Sequence, residues 1–240
     1  MKIISIKSHV LRYELEKEIG YSQQYYKYRT AHLVEIETDE GITGWGECFG
    51  PGNIALANKF IVEKVIQPLI KGEDPTNKEY IWHKVYNLLR DSGQKGMPIQ
   101  ALSGIDIALW DILSKKANLP LYQLLGGKCN NQIPVYGYGM MLQEKPVEQL
   151  IELFQKEAKE IKEKNFKAMK MKIGIGPKDD LKLVKAVRET VGDDYKLMVD
   201  ANHAYNLSDD LQVGKGLDEM NIYCFEEPVD PEDYEGYKEL

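Results

Sequence analysis

From about residue 133 onward, short apolar runs alternate with stretches whose apolar residues recur at helical spacing. Ile133 to Met141, Ala168 to Ile173, Leu197 to Ala201 and Ile222 to Phe225 read as strands. Between them Val147, Leu150, Ile151, Phe154, Ala158 and Ile161 mark one face of a helix, and Leu181, Val184, Val187 and Val191 a second. Ser208 to about Met220 gives a third, and Asp230 to Leu240 begins a fourth. Strands joined by helices must run parallel, because the chain crosses back over the sheet before each new strand. The strand starts fall near 133, 168, 196 and 222, about 30 residues apart. That is the repeat of a (β/α)8 barrel, and a flavodoxin-like open sheet shares it.

The first 130 residues follow another plan. Ile3 to Leu11, Ala31 to Thr38 and Thr43 to Phe49 read as a small antiparallel sheet, with Asp39-Glu40-Gly41 as a turn. The polar, tyrosine-rich stretch Glu16 to Arg29 reads as a loop. Helical spacing then takes over in Ile61, Val65 and Leu69, with Pro68 marking that helix's end, and again in Tyr80, Val85, Leu88 and Leu89. The strongest such run is Ala101, Ile105, Ala108, Leu109 and Ile112. We expect an α+β domain over 1–130 and, over 131–240, the first four β/α units of an α/β architecture.

Charge and composition remove several classes of function. With 31 Lys+Arg against 38 Asp+Glu the net charge is -7, which argues against a nucleic-acid or anionic-membrane binder. No apolar run approaches the ~18 residues of a membrane span, and no signal-peptide pattern opens the sequence. Cys48, Cys129 and Cys224 are far apart and form no CxxC pair, so a disulfide scaffold is not expected and a reducing cytoplasm is.

Three strand ends carry polar groups. Lys170 and Lys172 are two residues apart on a strand and share a face. Mutual repulsion and desolvation would lower their pKa towards that of a general base; an edge strand would instead turn both to water. Asp200 and Asn202 share a face in the same way, and Glu226-Glu227-Pro228 starts where the apolar run to Phe225 stops. Parallel α/β folds build sites at the carboxyl ends of strands, and two acids there suit a hard cation such as Mg2+. Either acid alone would equally serve as a helix cap.

The motifs Lys170-Met171-Lys172, Asp200-Ala201-Asn202 and Glu226-Glu227-Pro228 resemble the successive barrel motifs of the enolase superfamily, in its mandelate racemase/muconate lactonising family. Gly41 to Glu47 and the helix Ala101 to Asp111 are similar to its capping domain. Arg90 to Gly96 and Asn202-His203-Ala204-Tyr205 look most like its acid-sugar members, galactarolactone cycloisomerases among them. The resemblance implies an N-terminal α+β capping domain followed by the first half of a modified (β/α)8 barrel, incomplete in this chain. It implies Mg2+-dependent removal of the proton α to a carboxylate, through an enolate. Lys172 is then the base, Lys170 its pKa-lowering neighbour, and Asp200 and Glu226 two of three metal ligands. Asn202, His203 and Tyr21 become candidate substrate contacts, with Glu16 to Arg29 a mobile lid and Phe49-Gly50-Pro51 a second lid loop. The expected partner is a small carboxylate or lactone, turned over by a cycloisomerase or dehydratase, and the full-length enzyme is expected to be a homo-oligomer. A muconate-lactonising or dipeptide-epimerase isomerase, and a half-barrel fragment without turnover, are the alternatives.

Overall fold

The computed structural model describes all 240 residues, which divide into two compact units. The first comprises Met1–Leu15 and Tyr28–Asn131; the second comprises Glu16–Lys27 and Gln132–Leu240. No helix is long and apolar enough to cross a membrane.

In the first unit a three-stranded sheet of order β1-β2-β3 carries the helices. β1 (Ile3–Tyr21) and β2 (Gln24–Thr38) run much longer than expected, so the segment read as a loop over 16–29 is strand almost throughout. Its polarity suggested a loop, yet Tyr21, Tyr25, Tyr26 and Tyr28 are strong strand formers, and the hairpin end carries no continuous apolar face to betray it. β3 (Thr43–Cys48) pairs antiparallel with β2. Then come α1 (Ile54–Phe60), a π-helical turn (Ile61–Ile66) and α2 (Gln67–Ile70). Pro68 does end this helix soon after, and the π turn precedes it, with Gln67 N–H bonded five residues back to the Val62 carbonyl. α3 (Lys78–Leu89) follows, then α4 (Met97–Ala117), which closes on Asn118 in the left-handed conformation, and the short α5 (Leu121–Leu124).

α4 lies directly on β3 because both faces are stripped of side chains. Gly44 and Gly46 point at α4, and a Cβ on either would collide with the backbone oxygen of Ala108 or Gly104. Gly104 in turn has no room for a Cβ beside Cys48 Sγ. Asp111 and Lys115 fasten the far end: Asp111 accepts the Trp45 N–H at 2.8 Å and Lys115 donates to the Thr43 carbonyl at 2.7 Å. Ile3, Ile6, Val34, Ile36, Ile105, Leu109 and Ile112 fill the core between sheet and helices.

The second unit is a parallel sheet of β4 (Gly137–Tyr138), β5 (Ala168–Lys172), β6 (Lys196–Asp200) and β7 (Cys224–Glu226), with strand order following chain order. α6 (Val147–Glu163), α7 (Pro177–Val191), α8 (Leu207–Glu219) and α9 (Tyr234–Glu239) alternate with the strands. A flavodoxin-like sheet reverses its order at a switch point. This one does not reverse, and it is the parallel half of a barrel. Only two residues of the run from Ile133 to Met141 are strand. The helices cover one face through Leu150, Phe154, Val184, Val187 and Val213, packed on Met169, Met171, Leu197 and Val199.

One buried group works against this packing. Asp210, in the first turn of α8, is fully buried, and neither carboxylate oxygen has a hydrogen-bond partner. Burial pushes its pKa up to about 6. The unfolded chain titrates near pH ~4, so its contribution to stability is complete below that pH and is lost as the pH rises through about 6. Asp210→Asn cannot ionise, and is expected to melt higher than wild type at pH 7.5 by the equivalent of about 1–2 kcal/mol and at the same temperature as wild type at pH 4. The same melting shift at both pH values would count against burial of the charge as the cause.

Candidate active site

Parallel register decides which side chains meet. Tyr138 aligns with Lys170, Lys172 with Asp200, and Asp200 with Glu226. Aligned residues in a sheet share a face, so these groups project from the face opposite the helix-covered core. They gather at the carboxyl ends of the strands. β5 is an inner strand, not an edge, and Lys170 and Lys172 are only 7% and 6% exposed. The lysines do not face water.

Nor do they stand as an unrelieved like-charged pair. Lys172 Nζ donates to Asp200 Oδ2 at 2.6 Å and to Asn202 Oδ1 at 2.6 Å. Lys170 Nζ donates to Glu226 Oε2 at 2.7 Å and lies 3.4 Å from Asp200 Oδ2. The expectation that both pKa values fall is corrected for Lys170. Burial opposes its charge, but the hydrogen bond and charge of Glu226, with Asp200, outweigh burial and hold its pKa above the ordinary lysine value. Reading one strand could not reveal this, because the compensating carboxylates come from two others. Aromatic rings complete the walls: Tyr138 lies 5.6 Å from Lys170 Nζ and 5.8 Å from Lys172 Nζ, Tyr136 5.6 Å from Lys170, and Tyr21 5.8 Å from Lys172.

The other candidates find definite places. Tyr21 ends β1, and the two residues after it hold the turn beyond β6. Ser22 Oγ donates to the Ala201 carbonyl at 2.7 Å, and Gln23 Nε2 to those of Asn202 and His203 at 3.2 and 3.1 Å. Asn202 and His203 in that turn are both left-handed, at φ 48° and 52°. Asn202, expected to bond a substrate hydroxyl, has both ends of its amide engaged within the protein: Oδ1 by Lys172, and Nδ2 by Glu227 Oε2 at 2.9 Å. His203 Nδ1 makes no hydrogen bond and lies 3.6 Å from Glu227 Oε2.

Ser22, Gln23, Tyr136, Tyr138 and Asp180 were not singled out from the sequence, and Glu227 entered only within the Glu226-Glu227-Pro228 motif, with no role of its own. Asp180 explains the Gly174-Ile175-Gly176 turn after Lys172. Its buried carboxylate accepts the N–H groups of all three residues at 2.9 to 3.2 Å and the Tyr205 hydroxyl at 2.7 Å. The cradle that a phosphate would need is filled by the chain's own acid. An acid in the first turn of α7, four residues after Gly176, was the available signal.

A divalent cation can be tested against these donors. Asp200 and Glu226 offer hard oxygens at paired positions on neighbouring strands, and each already draws an ammonium group to within 2.7 Å. The chain contains no cluster of three or more His, Cys, Asp or Glu placed to hold a metal. Mg2+ is commonly held by one or two carboxylates, with water and substrate supplying the rest, so this pair fits.

Comparison with known proteins bears on the whole chain. Residues 19–126 match the mandelate racemase / muconate lactonizing enzyme N-terminal domain, and residues 153–240 the enolase C-terminal domain-like family. The chain is 39% identical over 240 residues to D-galactarolactone cycloisomerase of Agrobacterium fabrum, spanning 99% of this chain and 61% of that protein. It is 40% identical over 197 residues to arabinonate dehydratase of Saccharolobus solfataricus, spanning 82% of this chain and 52% of that protein. A crystal structure of a racemase from Streptomyces coelicolor with bound magnesium superposes with a TM-score of 0.88 at 31% identity, covering 98% of this chain and 64% of that one. Matched along both units, with its lysine and carboxylate motifs on successive parallel strands, the chain belongs to the mandelate racemase / muconate lactonizing enzyme family of the enolase superfamily.

Proposed function

We propose that this chain carries the proton-abstraction half of an acid-sugar enzyme, which removes the proton α to a carboxylate of an aldonate, aldarate or lactone. The observation that carries the reading is Lys172 Nζ fixed between Asp200 and Asn202, beside the Lys170–Glu226 pair, on three successive strand ends. The acid-sugar names of the cycloisomerase and dehydratase relatives support the substrate class.

Lys172 acts in its neutral amine form, donating an N–H to Asn202 and taking the α-proton onto the Nζ lone pair to become the ammonium. The electron pair left behind passes into the substrate carboxylate as an enolate. Asp200 and Glu226 would hold Mg2+, whose charge stabilises an enolate dianion. Lys170, kept protonated by Glu226, adds a fixed positive charge on the same face. Tyr21, Tyr136 and Tyr138 bound the space around the two amines and limit water there. Cycloisomerisation and dehydration both begin from this enolate and differ in which group leaves afterwards.

The test incubates the protein in D2O with Mg2+ and a panel of aldonates, aldarates, lactones and dipeptides, following the α-proton by NMR. Exchange into an acid sugar is expected, and Lys172→Ala is expected to slow it by at least about a thousandfold. Exchange that persists in Lys172→Ala removes the lysine from its role. Exchange confined to the dipeptides would transfer the chain to the epimerase branch, and none with any compound would leave it a half-barrel without turnover.

A further inference from the structure

Glu227, the second acid of the Glu226-Glu227-Pro228 run, has no part in the chemistry above. Its backbone is left-handed, at φ 47°, which residues bearing a Cβ rarely adopt. In that conformation its carbonyl accepts the His203 N–H at 2.7 Å, and its Oε2 accepts from Asn202 Nδ2 at 2.9 Å. The other end of the Asn202 amide faces Lys172 Nζ at 2.6 Å. The three side chains form one line from Glu227 through Asn202 to Lys172.

The chemistry of the two ends fixes the middle. A carboxylate only accepts hydrogen bonds and an ammonium only donates, whereas a primary amide has one end of each kind. With Glu227 on one side, Asn202 must turn its NH2 towards it, which leaves Oδ1 for Lys172. A flipped amide would set oxygen against carboxylate and NH2 against ammonium, exchanging two charge-assisted hydrogen bonds for two repulsive contacts. The main chain of Asn202 is separately held, its N–H donating to Asp200 Oδ1 at 3.1 Å, so the amide's facing is the freedom that remains.

We propose that Glu227 is a positioning residue: through Asn202 it sets where Lys172 Nζ sits as it meets the substrate. This deepens the function given above and rests on Lys172 being the base. Glu227 touches neither substrate nor metal in this assignment, which separates it from its neighbour Glu226.

The experiment compares wild type, Glu227→Ala, Glu227→Gln and Lys172→Ala. In 15N NMR, Glu227→Ala is expected to raise solvent exchange of the Asn202 side-chain amide about tenfold and to broaden the Lys172 ammonium signal. Glu227→Gln keeps an acceptor and is expected to stay within about threefold of wild type. In α-proton exchange, Glu227→Ala is expected to lose about ten- to a hundredfold in kcat, with KM and Mg2+ affinity unchanged, and Glu227→Gln to recover most of that loss. Wild-type behaviour of the amide in Glu227→Ala overturns the proposal; so does an unchanged kcat, or loss of Mg2+ affinity, which would make Glu227 a ligand. If Glu227→Ala does not fold, Asn202→Ala breaks the same line one residue later and carries the same expectation for the Lys172 signal and kcat. The NMR arm needs no turnover, so it decides the geometry even where the chain is inactive. Exchange that survives Lys172→Ala would refute the base itself while leaving the amide measurement to stand.

Discussion

Asp200→Ala is expected to unfold about 3 kcal/mol more easily than wild type in the absence of divalent metal, a melting shift of about 10 °C for a unit of this size. Asp200 is 2% exposed and is the only carboxylate shared by both lysines. Removing it strands two buried ammonium groups, and breaking a buried ion pair from one side typically costs about 3–5 kcal/mol. The lower end applies because Lys170 keeps Glu226 and Lys172 keeps Asn202. Asp200→Asn retains an acceptor at the same place and should lose roughly half as much. Millimolar Mg2+ is expected to raise the melting temperature of wild type and not that of Asp200→Ala, since only a site that binds the ion in the folded state gains stability from it. Differential scanning calorimetry with and without Mg2+ reads both effects. A loss under 1 kcal/mol for Asp200→Ala would show that the lysines do not depend on it.

The second large effect lies in the first unit. Gly46→Ala is expected to cost about 3 kcal/mol or more, at the upper end of overpacking penalties. A methyl group there meets the Gly104 carbonyl oxygen and lies 2.8 Å from the Ala108 nitrogen. These are backbone atoms in a 21-residue helix, so no side chain can step aside and β3 must part from α4. Gly41→Ala is the control: its φ of 79° disfavours alanine by about 1–2 kcal/mol, but nothing lies within 4 Å of the added methyl. Ala108→Gly should fail to rescue Gly46→Ala, because the clash is with main chain. Chemical denaturation ranks the variants, and equal losses at Gly41 and Gly46 would refute the close-packing account.

The sequence exposed those features that repeat or alternate within one element. Met169 and Met171 against Lys170 and Lys172 show β5 to be two-faced, and the succession of β5, β6 and β7 follows from the spacing of their apolar runs. What did not show were properties that arise only when strands lie side by side. The Glu226 that holds the charge of Lys170 is 56 residues away, and the Glu227 that accepts from Asn202 is 25 away. The hairpin end over 16–27 misled for the opposite reason: its local polarity is that of a loop, while its pairing is supplied from elsewhere, as when Gly20 exchanges two backbone hydrogen bonds with Leu142. The left-handed turns at Met140, Asn202, His203 and Glu227 carry no glycine signature, because the conformation is imposed by surrounding hydrogen bonds and not by residue type.

The hairpin end also has a consequence for the order in which the protein assembles. Each strand from β5 to β7 docks against the one made just before it, across a single helical crossover whose closure costs little entropy. The hydrogen bonds of Ser22 and Gln23 to the turn after β6 join residues 179 and 180 positions apart. Contacts of such long range form late, after the local ones are in place. On the ribosome, Tyr21 is synthesised early but cannot take its place beside Lys172 until the chain has passed His203. The sheet and its helices can therefore exist for a time as a scaffold, and the surroundings of Lys172 are the last part of it to mature.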